Sequence, residues 1–371
     1  MAKRVLMVAT VPSMIGQFNM CNIHILMDMG YQVDVAADFK DTSVWPMERV
    51  EKFKALMQEM NINFFQIDFS RNPLKLYKHI ASYREMVDLI HKRQYSFIHT
   101  HTPIASAIVR LAAKKTRTKV IYTAHGFHFY DGAPLKNWLI YYPVEKFLSR
   151  YTDVLITINK EDYKRAKEKF HAGEIVYIPG VGVDTKKFAP RKSGRDRIRT
   201  ELGLNEKDVL LLSVGELNEN KNHESVIRAM KGLHAIYVIA GKGEKRDSLE
   251  QIAKECGVDL RLVGFRTDVS DFYDAADAYV LPSMREGLNV SLLEAMASGL
   301  ACAVSRIRGN VDLIEDETVL FNPTSINEIR IAIDNAIRGK EDYGQKNLKK
   351  IRGFDLVTVE SLTSEIYGGG V

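Results

Sequence analysis

Short apolar runs and longer amphipathic stretches alternate along the chain, and the alternation occurs twice. In the first half, apolar runs at 4–9, 32–37, 64–67, 97–101, 119–123 and 154–158 predict strands. The segments 47–60, 73–92, 104–115 and 137–149 between them predict helices. The second half predicts strands at 208–214, 235–240, 259–263, 278–281 and 301–304. Helices are expected near 221–231, 244–256, 268–275, 290–298 and 325–338. Strands separated by helical segments imply βαβ units and a mainly parallel sheet. Between the halves, Ile178-Pro179-Gly180-Val181-Gly182-Val183-Asp184 precedes a polar run over 186–199, a composition that marks a domain boundary. The expected architecture is α/β, with two doubly wound domains facing each other across a cleft. The domains are expected over 1–184 and 185–352, with a helix in 353–371 that could return to the first domain.

The length of 371 residues exceeds what one hydrophobic core usually supports, consistent with two domains. Cys21, Cys256 and Cys302 are isolated, which suits a reducing cytoplasmic setting and offers no structural zinc pattern. With no signal-like region and no apolar run of about 18 residues, nothing is expected to span a membrane. The net charge of +5 is uneven: residues 1–184 hold 25 Lys and Arg against 18 Asp and Glu, and the remainder 27 against 29. Within 71–119 there are 11 basic and 2 acidic residues. Such a stretch suits an anionic membrane, a polyanionic substrate or nucleic acid, or is simply a soluble basic face. The segment 73–92 puts Leu74, Leu76, Tyr77, Ile80, Tyr83, Val87 and Ile90 on one broad face among lysines and arginines. That face could lie on lipid headgroups or pack on the sheet.

Candidate chemistry gathers at strand ends. The strand at 278–281 leads through a glycine turn into a helix ending at Gly299, with Glu286 in the turn and Glu294 on the helix. Open α/β sheets bind ligands beyond the carboxyl ends of their strands. Gly215 and Lys221 end the strand at 208–214, where a lysine near a helix start suits a diphosphate or merely accompanies a capped helix. Gly241-Lys242-Gly243-Glu244 and Gly264-Phe265-Arg266 follow two further strands, and GxGxxG is absent. In the first half, 10–19 reads as a strand-to-helix loop containing Gly16. His99 and His101 share a strand face without an acidic partner at ligand spacing, so no metal site is expected. His125 ends the next strand, as a cleft-facing polar group or as a core or capping histidine.

Together these motifs resemble the retaining glycosyltransferases of family 4, with the GT-B two-domain fold. The carriers are Glu286 and Glu294 with seven residues between them, Ala295-Met296-Ala297-Ser298-Gly299, Gly215 with Lys221-Asn222-His223, and Gly182-Val183-Asp184 before Phe188. His99-x-His101 and His125-Gly126-Phe127-His128-Phe129-Tyr130 resemble the bacterial exopolysaccharide and capsule branch. The resemblance implies a UDP-sugar donor, no metal cofactor, and catalysis by His125, Lys221 and Glu286. Donor binding would fall to Gly16, Gly215, Lys221, Arg266, Glu286, Gly287, Leu288, Asn289 and Glu294. Glu294 would hold the ribose, Lys221 the diphosphate, and Glu286 the sugar hydroxyls; Gly16 would let its loop approach the phosphates. The sugar, an N-acetylhexosamine or hexose, would pass to a membrane-bound polyprenyl-diphosphate glycan. The expected partners are nucleotide sugar, lipid-linked or carbohydrate acceptor and, through 71–119, the inner face of the cell membrane, rather than nucleic acid. A soluble small-molecule acceptor and a non-catalytic nucleotide-sugar-binding subunit are the alternatives. Glu216 stands where the family often has Arg, with Arg266 or Arg285 as substitutes, and Ala301-Cys302 where Pro-Val is frequent.

Overall fold

Residues 3–369 are described in a computed structural model; residues 1–2 and 370–371, the outer ends of the expected first and last segments, lie outside them. The chain forms two compact units, Met1–Val181 with Val359–Val371, and Gly182–Thr358. In the first unit seven parallel strands, β1 (Arg4–Val8), β2 (Gln32–Ala37), β3 (Asn63–Gln66), β4 (Phe97–Thr100), β5 (Lys119–Ala124), β6 (Val154–Thr157) and β7 (Glu174–Tyr177), lie in the order 3-2-1-4-5-6-7. In the second unit, β8 (Leu210–Val214), β9 (Ile236–Ala240), β10 (Asp259–Gly264), β11 (Ala278–Leu281), β12 (Ala301–Ser305) and β13 (Leu320–Phe321) lie in the order 10-9-8-11-12-13. Both units therefore run outward from their first strand in the Rossmann sense, and the order reverses between β1 and β4 and between β8 and β11.

Helices cover both faces of each sheet, so the central strands are buried along their length rather than alternating. All four residues of β6, β11 and β4 are buried. The unpredicted β7 is an edge strand beside a lysine-rich helix, and only Ile175 in it is fully buried. A four-residue run with one core side chain carries little periodic signal.

One expectation is corrected. The segment 10–19 is not a loop: Pro12–Phe18 is helical, with Pro12 at its first turn. A Cβ on Gly16 would stand 2.4 Å from Trp45 Cη2, so the glycine is explained by the ring packed on that helix. Just past the unit boundary at Gly182, the polar run contains a helix, Lys192–Glu201, packed on Val269–Ala275. Arg191 and Arg197 pair with Asp268, Asp271 and Asp274 along that junction. The final helix, Leu356–Gly368, contributes Val359 and Tyr367 to the core of the first unit, where the Tyr367 ring stacks on Phe97.

Candidate active site

In the second unit the loops after β8, β9 and β11 are fastened to one another by backbone contacts. Gly241 and Gly243 leave room for this: a Cβ on Gly241 would lie 1.7 Å from the Gly215 carbonyl oxygen, and one on Gly243 2.3 Å from that of Leu217. The Leu217 amide donates to the Lys242 carbonyl at 3.0 Å, and the Met284 amide to the Asn220 carbonyl at 2.8 Å. The glycines after β9 thus serve loop-to-loop packing. Asn222, in the left-handed region at φ 54°, donates from Nδ2 to the carbonyls of Pro282 and Pro323.

That framework fixes Lys221 beside Glu286, and Nζ lies 2.8 Å from Oε1 with both side chains largely buried. A Cβ on Gly215 would stand 3.2 Å from Lys221 Cε, so the missing side chain leaves the lysine its path across the end of β8. The Lys221 amide donates to Asn218 Oδ1 at 3.0 Å, which positions the residue just ahead of helix His223–Ala229. His223 is buried, its Nδ1 is 2.9 Å from the Tyr237 hydroxyl, and burial followed by the Lys221 charge pushes its pKa down to about 4. It is a neutral support beneath the lysine.

Helix Val290–Ala297 begins at Asn289, whose side-chain oxygen accepts from the Leu292 amide. Its side-chain carbonyl caps a helix here, a role that competes with the expected donor contact. Gly287 and Leu288 occupy the turn just before this helix, beside a positive helix end. A Cβ on Gly309 would meet the Gly287 carbonyl at 2.2 Å, so the segment after β12 packs closely on this turn. Farther along the helix, Glu294 accepts a 2.9 Å hydrogen bond from the Tyr273 hydroxyl through Oε2. Burial raises the Glu294 pKa, while Tyr273 and the Lys187 charge oppose the shift. A carboxylate oriented through one oxygen can offer the other to a vicinal diol.

Arg266, expected as a donor cation, is engaged by acidic side chains. Its guanidinium is bonded to Glu201 at 2.9 and 3.1 Å and to Asp268 at 2.9 and 2.8 Å, and it stacks over Phe272. Those carboxylates occupy the donors a phosphate would need. Glu216 is accommodated by pointing outward, where it accepts from Asn218 Nδ2 at 2.8 Å. Sequence reasoning missed Arg308, whose Nε donates to the Glu286 carbonyl at 3.1 Å. The available signal was one more strand followed by charge and glycine, Arg306-Ile307-Arg308-Gly309 after β12.

In the first unit, strand ends β4 and β5 bring three histidines together. His99 is buried, with Nδ1 2.7 Å from the Tyr367 hydroxyl and Nε2 2.8 Å from Thr123 Oγ1. His101 Nδ1 lies 3.3 Å from Nε2 of His125, which is partly exposed. Burial lowers all three pKa values, to about 3 for His99, well below normal for His101 and to about 4 for His125. Gly126 takes φ 130°, and the Phe127 amide donates to Asp162 Oδ2 at 3.0 Å, which holds the turn after His125. His125 is therefore a neutral imidazole anchored through one nitrogen to a buried partner.

Two Rossmann-like units, each with candidate polar groups beyond its strand ends, are the architecture of the GT-B fold. The chain matches the family model "Glycosyltransferase Family 4" over 24–187 and "Glycosyl transferases group 1" over 194–350. It is 37% identical over 328 residues to the putative glycosyltransferase EpsD of Bacillus subtilis, covering 85% of this chain and 82% of that protein. It is 30% identical over 323 residues to the UDP-Gal:alpha-D-GlcNAc-diphosphoundecaprenol alpha-1,3-galactosyltransferase of Escherichia coli, covering 82% and 83%. Among solved structures, Anabaena HepE in complex with UDP superposes with TM-score 0.79 at 18% identity, over 99% of this chain and 100% of that one. The chain belongs to the family 4 glycosyltransferases and is a glycosyltransferase enzyme.

Proposed function

We propose that this enzyme transfers a hexose or N-acetylhexosamine, with retention, from a UDP-sugar to a polyprenyl-diphosphate-linked glycan during polysaccharide biosynthesis. The observation that carries the reading is the buried Lys221–Glu286 pair at the β8–β11 switch point. Relatives support its chemistry: HepE has structures with UDP and with UDP-glucose, and the Escherichia coli relative acts on a diphosphoundecaprenol acceptor.

A diphosphate arriving between the switch-point loops takes Lys221 from Glu286, so that a charged ligand replaces an internal ion pair. Glu286 is then released to accept hydrogen bonds from the donor sugar, while the turn at Gly287 and Leu288 contributes backbone donors. Glu294, oriented by Tyr273, receives the ribose hydroxyls. The bond between anomeric carbon and phosphate oxygen breaks as the acceptor oxygen bonds to the same face of that carbon. The acceptor proton passes to the departing diphosphate, and UDP leaves. Lys221 stabilises the charge on the leaving group, and neutral His125 donates or accepts a hydrogen bond near the anomeric centre. No metal ion is required in this scheme. The basic stretch 71–119 faces the membrane that carries the acceptor.

Thermal shift with a panel of UDP- and GDP-sugars, in the presence of EDTA, tests the donor assignment. UDP-sugars are expected to stabilise the wild type, and Lys221→Ala and Glu294→Ala to lose the shift. Stabilisation that survives both substitutions contradicts the site. Product analysis by anomeric NMR tests retention, and transfer only to a water-soluble acceptor would replace the lipid-linked one.

A further inference from the structure

Helix Leu135–Leu148 in the first unit is apolar on both sides. Its inner side packs Trp138 and Tyr142 against Phe129, and Glu145 pairs with Arg110 at 2.9 Å. Its outward stripe, at helical spacing, is Leu139, Ile140, Val144 and Phe147, with Leu139 69% and Phe147 51% exposed. Lys136 and Arg150 stand exposed at its two ends. A surface helix normally turns charge outward, so a large apolar stripe in that position needs a partner.

Its neighbours supply the partner's charge. Helix Pro103–Thr116 packs against this helix on one side and against Leu76–Arg93 on the other. A groove of about 840 Å³ between those two helices is lined by Leu76, Ile80 and Leu111, with Lys114, Lys115 and Arg117 at its rim. Among the described residues, Lys75, Lys115, Arg117, Lys136 and Arg150 form no ion pair with an acidic side chain. A symmetric pairing of two such faces would oppose cations to cations, which disfavours a second copy as the occupant. Nucleic acid would use the charge and leave the apolar stripe uncovered.

We propose that the outward stripe of helix Leu135–Leu148 inserts into an anionic lipid bilayer, beside cations that hold its headgroups. This adds an inserted element outside 71–119 and rests on the membrane contact of the functional reading. The helix lies in the interface plane, its apolar side chains at the headgroup boundary and Lys136 and Arg150 among the phosphates. Leu76, Tyr77 and Ile80, on the helix beyond Pro103–Thr116, are exposed as well.

Vesicle flotation of the full chain tests it, with phosphatidylcholine vesicles alone and with added phosphatidylglycerol. The wild type is expected to float with anionic vesicles only. A variant combining Leu139→Ser, Ile140→Ser and Phe147→Ser is expected to lose at least about tenfold in bound fraction, with its melting temperature unchanged. In case that variant misfolds, Phe147→Trp provides a second readout: its added emission should shift to the blue on binding anionic vesicles. A wild type that does not float, a triple variant that floats equally, or an unshifted Phe147→Trp signal overturns the proposal. So does a wild type of doubled mass that the triple variant makes monomeric without any vesicle binding. UDP-sugar hydrolysis is read in parallel: flotation without donor use would leave this face standing and overturn the UDP-sugar donor reading, and the converse would do the reverse.

Discussion

At the ends of β8 and β11 the polar groups are charged and paired, with Lys221 on Glu286 and Tyr273 steering Glu294. At the ends of β4 and β5 they are neutral, His99 and His101 buried and His125 partly exposed, all three held below their ordinary pKa by desolvation. The two sheets share a strand order yet solve opposite problems. The ion pair fixes the Lys221 ammonium beside a carboxylate, and a diphosphate that takes it over replaces one anionic partner with another. A cluster of neutral imidazoles offers directional hydrogen bonds without adding charge. Charge is concentrated in one unit and geometry in the other.

The largest expected effect breaks the charged side. Lys221→Ala should lower kcat/KM by ~10³-fold, since it removes the cation on the leaving group and leaves Glu286 buried without its partner. Initial-rate kinetics check it, and Lys221→Arg should recover only part because the lysine path over Gly215 is narrow. On the neutral side, His125→Ala should cost ~10²-fold in kcat, the scale of one well-placed polar group. If His125 acts as a neutral group, the kcat profile should show no loss attributable to its protonation above about pH 5, because its pKa is pushed down to about 4. A rate tracking an ionisation near 6.5 that His125→Gln abolishes would contradict this.

The same desolvation fixes the sign of acid sensitivity. Unfolded histidine titrates near 6.5, above the folded value of about 4 for His125. As pH falls the unfolded chain binds the proton first, so the stability from keeping these histidines neutral is full above about pH 6.5. It is lost progressively toward pH 4. Denaturant melts between pH 7 and 4.5 should show the loss, and His99→Gln should reduce its slope.

Smaller effects separate grip from scaffold. Glu294→Gln should raise donor KM by ~10-fold with a lesser effect on kcat, as expected for a uniform binding contact. Arg266→Ala should change kcat/KM by less than ~3-fold and destabilise by under ~1 kcal/mol, because its partners are carboxylates on a partly exposed junction. A donor KM for Arg266→Ala as poor as that for Glu294→Gln would restore it to the donor site.

What could be read from the sequence was local. The apolar run 278–281, the glycine turn, the helix stop at Gly299 and the spacing of Glu286 and Glu294 lie within one strand–turn–helix, so periodicity and turn chemistry exposed them. Asn289, by contrast, read as a donor contact, is seen in the structure as the helix cap. What escaped depends on partners distant in the chain. Gly16 reads as a loop glycine until Trp45 is seen against it. Arg266 reads as a phosphate cation until Glu201 is seen beside it, and Arg308 draws no notice until it reaches the Glu286 carbonyl. The helix Lys192–Glu201 has little apolar content of its own, and acids of a later segment anchor it. The outward stripe of Leu135–Leu148 escaped for the inverse reason, since a helix apolar all round gives no sign of which side is covered.

The exchange of Glu286 for a diphosphate on Lys221 is tested most directly by titration calorimetry of UDP in EDTA on the wild type and Lys221→Ala. Binding to the wild type should weaken as salt rises, and Lys221→Ala should bind UDP ~100-fold more weakly while uridine alone binds both proteins equally. Equal UDP affinity in the two proteins would contradict the exchange.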